Sequence, residues 1–485
     1  MFYAPQSETK DGGAFASRRK DAPPSDKGQK IHIFSMHRTN GFDPLPVTPF
    51  VREGAGGSFH LLTYWHISAI LCIRKVCSMT IENKIEKRQK VYTVEFWRFA
   101  FTVLVALYHL EIFYQRKLMP SGTTAVEFFF ILAGFTIAMS ASERRLNNGA
   151  GDLTTREARI VALDYVKKKL AVIYPLLAIT LILAIVVIPL VTPQMFAFPP
   201  AQGAGLWSRI LENLGILINS EWEWLIMVGT PMGFNNATAS SAPIVPLWFL
   251  TQLLIVGYLY AFLVNRKYDL MMFAAPLIAV LGYTYFALNS ENVLDFYIKM
   301  GLFNAGTVRA ISEMAMGIAL FQLYAHMKNR DWKLMGKIML QLLELFAIYR
   351  YCALTWGAGI SIDNFRRIPY ILIIILLSFV NITLLSKLLN RKIMEKLGKI
   401  SLPMFLIHFP LATLYVSMML SLKRRPFASS LPGFIQNSAG TNRSLRPIGL
   451  SPGDLLMYLP LIIIVSILMQ LLITAIRRLK KKNTG

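Results

Sequence analysis

Arg98 and His109 stand eleven residues apart in a stretch dominated by apolar side chains, EFWRFAFTVLVALYHLEIFYQ. On an α-helix that spacing is three turns plus ~20°, so both project from one face, ~16 Å apart along the axis. Glu95 and Thr102 fall on the same stripe. Ionisable groups are costly in hydrocarbon, so they face a bundle interior or a wet cavity and mark function. An imidazole titrates near neutral pH and can take a proton from a reacting group, which makes His109 a candidate general base. A guanidinium offers a planar fork to phosphate or carbonyl oxygens, which suits Arg98 to hold an anionic substrate. Each has a blander reading: a buried histidine satisfied by a neighbouring hydroxyl, and an arginine snorkelling to the membrane surface.

Other residues could share that chemistry. Glu127 opens the next apolar run, close in sequence to the His109 end of the first. It can orient the imidazole as a third group orients a base, or simply favour the helix N-terminus. Arg309 and Glu313 lie four apart with Gly317 continuing their face, so they can pair on one helix. They form either an inward polar site or a structural ion pair. His408 sits inside an apolar run beside Pro410. There is no Gly-rich phosphate loop, no metal-ligand spacing and no nucleophile elbow, so neither a metal site nor a serine acyl-enzyme is expected.

These residues must be positioned by membrane helices. Of the 485 residues, 54% are hydrophobic and 16% charged, and apolar runs near 20 residues recur after Glu95. Ten spans are expected, at 97–115, 124–141, 170–192, 245–264, 269–288, 305–326, 337–357, 368–389, 401–420 and 455–476. With both termini in the cytoplasm, the inner segments carry 27 Lys and Arg and the outer ones 11, as the positive-inside bias requires. The net charge of +24 is thus dispersed between spans rather than gathered into a nucleic-acid patch. Residues 1–58 are polar, basic and rich in Pro, Gly and Ser, and read as disordered. The change of character at Met79 marks 1–78 as a leader that need not belong to the native protein, with a membrane domain over 79–485. Residues 206–228, with three tryptophans among polar residues, read as a re-entrant or interfacial helix.

Four pieces of sequence resemble the acyltransferase-3 family, the bacterial multi-pass membrane O-acyltransferases of surface glycans. They are the Arg98-x10-His109 spacing; the run from Val126 to Phe135 (VEFFFILAGF), with Ala133 where the family has Ser; and the run from Gly398 to Pro410 (GKISLPMFLIHFP). The fourth is Lys167 to Pro175 (KKKLAVIYP), with Val172 where an Arg is usual. The resemblance covers about 92–476.

It implies transfer of an acyl group, often acetyl, from cytoplasmic acyl-coenzyme A to a sugar or glycan hydroxyl. His109 would be the base, or would relay the acyl group as a covalent carrier, and Glu127 would be its partner. Arg98, Lys168 and Lys169 would grip the donor, although these lysines could equally be orientation charges. Arg309, Glu313 and His408 would form a further polar site. The coenzyme is a co-substrate, with no permanently bound cofactor. The expected partners are the bilayer, acyl-coenzyme A and a glycan acceptor, with no nucleic acid. The expected location is the plasma (inner) membrane. Some relatives carry a fused extracytoplasmic hydrolase-like domain; this chain is expected either to work without one or to pass the acyl group to a separate extracytoplasmic partner. The rival reading is a transporter or flippase that uses the Arg98–His109 stripe as a substrate or proton path.

Overall fold

Long apolar runs in lipid can satisfy their backbone groups only as helices or closed barrels, and this chain forms helices. The computed structural model describes residues 91–111, 122–147, 151–183, 247–289, 299–357, 362–422 and 452–484, all within the unit Thr80–Gly485. The leader 1–78, the start at Met79 and the segment 206–228 lie outside the described residues.

Eleven α-helices occur among the described residues: α1 (Tyr92–Glu111), α2 (Ala125–Asn147), α3 (Thr155–Ile182), α4 (Leu247–Arg266), α5 (Tyr268–Asn289), α6 (Ala305–Lys328), α7 (Leu334–Gly357), α8 (Ile368–Val380), α9 (Leu384–Leu389), α10 (Ile393–Leu422) and α11 (Pro452–Thr484). A two-residue hairpin, β1 (Lys299–Met300) and β2 (Phe303–Asn304), precedes α6. Among the described residues six helices are long and apolar enough to cross a bilayer: α2, α4, α5, α7, α10 and α11. The other four expected spans fall on α1, α3, α6 and α8. Of these, α1 and α6 carry the buried ionisable residues, α3 begins with a charged half, and α8 is only 13 residues long.

The centre belongs to α2, whose apolar stretch is 83% buried, against 22% for those of α7 and α11, which leave most of theirs exposed. Its closest partner is α6. A Cβ on Gly134 would lie 1.9 Å from Met314 O, and one on Gly317 would lie 2.0 Å from Ile131 O. Glycine is therefore what lets the two backbones touch, the usual device where helices meet without water to drive them together. A second tight pair is α1 with α10. There Gly398 leaves room for Glu95, whose Oε2 would be 2.0 Å from an added Cβ.

Two expected spans change shape. The 368–389 run divides at Asn381, which adopts a left-handed conformation (φ 56°) and caps α8. Thr383 then caps α9 by accepting from Ser386 N. Asn tolerates that conformation and Thr is a favoured N-cap, so the local chemistry overrides the apolar run. Helix α3 begins at Thr155, well before the expected start at 170. A capping box closes its first turn, with Thr154 accepting from Glu157 N and the Glu157 side chain accepting from Thr154 N. Lys168 and Lys169 consequently stand on a helix rather than in a loop.

Candidate functional site

A cavity of ≈ 1170 Å³ opens among α1, α2, α3, α4, α6, α8 and α10, slightly above the usual small-molecule range of about 300–1,000 Å³. Along α1 it is lined by Glu95, Arg98 and Thr102, three of the four members of the stripe read from the sequence. Arg98 Nη1 donates to Glu95 Oε2 at 2.8 Å, and Thr102 Oγ1 donates to Arg98 O. The Arg98 side chain remains 36% exposed, so it is held by one carboxylate yet open to a ligand. Lys168, Lys169 and Arg144 also line the cavity. Lys168 pairs with Asp164 at 2.7 Å, and Lys169 Nζ stands 5.7 Å from the centre of the Tyr165 ring. The cavity wall, to which Lys328 on α6 also belongs, thus carries cations from four helices. The side chains of Val380 and Asn381 at the α8 break line it too, in keeping with the rule that non-helical backbone at membrane depth borders a cavity.

Two turns beyond Thr102, His109 is nearly buried and meets His408. Their Nδ1 and Nε2 atoms are 3.1 Å apart, across 299 residues of sequence. His408 Nδ1 lies 2.6 Å from Phe405 O, and His109 Nδ1 lies 2.9 Å from Val105 O. A carbonyl oxygen can only accept, so each Nδ1 carries its proton. The His109 Nδ1–H is then shared between Val105 O and the lone pair of His408 Nε2, and His109 Nε2 is the basic nitrogen. Tyr458, fully buried on α11, donates to His408 O at 2.8 Å and ties the pair to a third helix.

A family model described as an acyltransferase domain, of the acyltransferase-3 type, matches residues 91–476. The chain belongs to the acyltransferase-3 family. No curated protein and no solved structure matches it. It is an acyltransferase and a multi-pass membrane protein, and the matched residues take in the cavity and the histidine pair.

The remaining polar residues of this acyltransferase gather elsewhere. Glu127 does not meet His109; Arg309 Nη2 donates to Glu127 Oε1 at 3.3 Å, and Arg309 Nε lies 3.6 Å from Glu313 Oε1. All three are at most 2% exposed, and the Arg309 guanidinium also covers the Trp248 ring at 5.5 Å. The helical spacing of Arg309 and Glu313 correctly implied their pairing. The inter-helix bond to Glu127 had no signal in the sequence, because it depends on the glycine crossing of α2 and α6. An unpaired buried charge costs far more than a paired one, which accounts for Arg309 bridging both carboxylates. His408 was singled out by its motif, whereas Tyr458 carried no signal at all. Val172 lines the cavity one turn beyond Lys168 and Lys169, and those lysines supply the cations on that part of the wall. Among the described residues no group of His, Cys, Asp and Glu could hold a metal ion.

Proposed function

We propose that this acyltransferase moves an acyl group, acetyl in the first instance, from cytoplasmic acyl-coenzyme A to a hydroxyl of a sugar or surface glycan. The observation that carries the reading is one helix, α1, that presents Arg98 to the cavity and His109 to the histidine pair two turns beyond Thr102. The donor phosphates are held by Arg98, Lys168 and Lys169, with Arg144 on the facing wall. Such cations suit phosphate by charge and, for arginine, by fork geometry.

At the far end His109 Nε2 removes the proton of the acceptor hydroxyl as its oxygen attacks the thioester carbon. The carbon–sulfur bond breaks and coenzyme A leaves as the thiol, taking up the proton from His109. His408 acts through His109: its Nε2 accepts from the Nδ1–H, fixes the tautomer and supports the imidazolium that forms, the orienting role of the third member of a triad. Glu127 supports the site from a distance by holding Arg309, and Arg309, Glu313 and Glu127 brace the α2–α6 crossing. The setting is the plasma (inner) membrane, where a separate extracytoplasmic partner carries the product onward.

The test is transfer of label from acetyl-coenzyme A into the glycan fraction of native membranes, with wild type compared with His109→Ala at matched expression. Loss of a base of this kind lowers the rate by ~10²–10⁴-fold. Equal labelling by the two proteins would remove His109 from the chemistry.

A further inference from the structure

A closed triangle of rings lies on the cavity wall, and one of its members touches the histidine pair. Phe129 on α2, Phe249 on α4 and Phe405 on α10 have ring centroids 6.0, 6.3 and 5.3 Å apart (129–249, 129–405 and 249–405). All three line the cavity. Phe405 also reaches past it, with its ring 5.7 Å from that of His408, which in turn lies 4.8 Å from His109. Neither histidine is among the residues that line the cavity. Along α1 the lining ends at Thr102, seven residues and ~10 Å short of His109. The intervening Val105 and Ala106 are fully buried.

We propose that Phe129, Phe249 and Phe405 form a gate that the acyl group must pass to reach His109, and that this gate sets the size of acyl group transferred. The proposal rests on the reading of the cavity as the donor site. The charged end of the donor stays among Arg98 and the lysines, and only the thioester and its acyl group advance. The rings meet edge-on and tilted, held by contact alone, so a ring can turn aside without breaking a hydrogen bond. A two-carbon group needs one ring to move. A long chain needs a volume that a wall packed to protein density does not contain. Phe249 and Phe405 are each 4% exposed, whereas Phe129 is only half-buried, which makes Phe129 the ring with room to move.

The experiment compares acetyl- and octanoyl-coenzyme A as donors to full-length protein in native membranes, which carry the acceptor. It reads both donor binding and release of free coenzyme A. Wild type is expected to bind acetyl-coenzyme A and to turn it over in preference to the octanoyl donor. Phe129→Ala and Phe249→Ala are expected to raise the octanoyl-to-acetyl rate ratio by at least ~10-fold, the scale on which apolar pockets discriminate chain length. If an alanine variant fails to fold, Phe129→Leu or Phe249→Leu is read instead: a smaller shift in the same direction supports the gate, and no shift overturns it. An unchanged ratio in variants that still bind acetyl-coenzyme A overturns the gate and leaves the donor site standing. Equal use of both donors by wild type does the same. Absence of acetyl-coenzyme A binding by wild type overturns the donor site, and the gate with it.

Discussion

Adding one methyl group at Gly134 or Gly317 should pry apart the two helices at the centre of the bundle. A Cβ at Gly134 would lie 1.9 Å from Met314 O and one at Gly317 would lie 2.0 Å from Ile131 O, where real Cβ atoms essentially never come under 3.0 Å. Relief therefore requires α2 and α6 to separate by about 1 Å. Neither obstacle is a side chain that can rotate away, since both are backbone carbonyls. Overpacking of this kind costs ~1–3 kcal/mol, and a rigid obstacle places each single variant near 3 kcal/mol. One separation relieves both clashes, so the two costs should not add. Gly134→Ala/Gly317→Ala should cost about as much as the worse single change, a coupling of ~2–3 kcal/mol, at the upper end for residues in contact. The same separation stretches the 3.3 Å Arg309–Glu127 contact, so activity should fall with stability. Denaturant unfolding in detergent, followed by tryptophan fluorescence, would measure all four species. Single variants that lose less than ~1 kcal/mol, or a double variant whose loss is the sum, would refute the reasoning.

Three further outcomes follow from named contacts. Gly398→Ala would drive a Cβ into Glu95 and release Arg98 from its 2.8 Å partner, so KM for acetyl-coenzyme A should rise several-fold with kcat less affected; an unchanged KM would count against Arg98 as a donor ligand. Arg309→Met strands two buried carboxylates and should cost ~3–5 kcal/mol, most of it recovered in Arg309→Met/Glu127→Gln/Glu313→Gln, and a triple variant no more stable than the single would show that the cluster is not held by charge. At the exposed start of α3, hydrogen bonds from Thr154 hold the Glu157 carboxyl below the usual carboxylate range. The capping contribution is therefore present in full above the unfolded-state value of ~4.3 and is lost as pH falls through the lower folded value. Protection of the amides in the first turn of α3, taken relative to their intrinsic exchange rate at each pH, should fall on acidification in the native protein and stay flat across that window in Glu157→Gln.

Much of this site could be read within single helices. The 3.6-residue period places Glu95, Arg98, Thr102 and His109 on one stripe of α1 and pairs Arg309 with Glu313 on α6, because both relations depend only on local geometry. Composition and the recurring apolar runs likewise determine a helical membrane protein, since lipid leaves the backbone few other choices. Period does not say which helix stands opposite. Glu127 lies close in sequence to His109, yet the glycine contact between α2 and α6 brings it to Arg309, 182 residues away. His109 takes as its partner a histidine 299 residues on. The division of the 368–389 run hangs on one left-handed Asn and one capping Thr, whose signals are too short to outweigh an apolar run until the cavity beside them gives the exposed backbone somewhere to face. The three phenylalanines come from three helices and read as ordinary packing residues along each. Only the tertiary structure brings them together on the cavity wall, because a cluster of this kind is a property of the gap between helices, which no single helix contains.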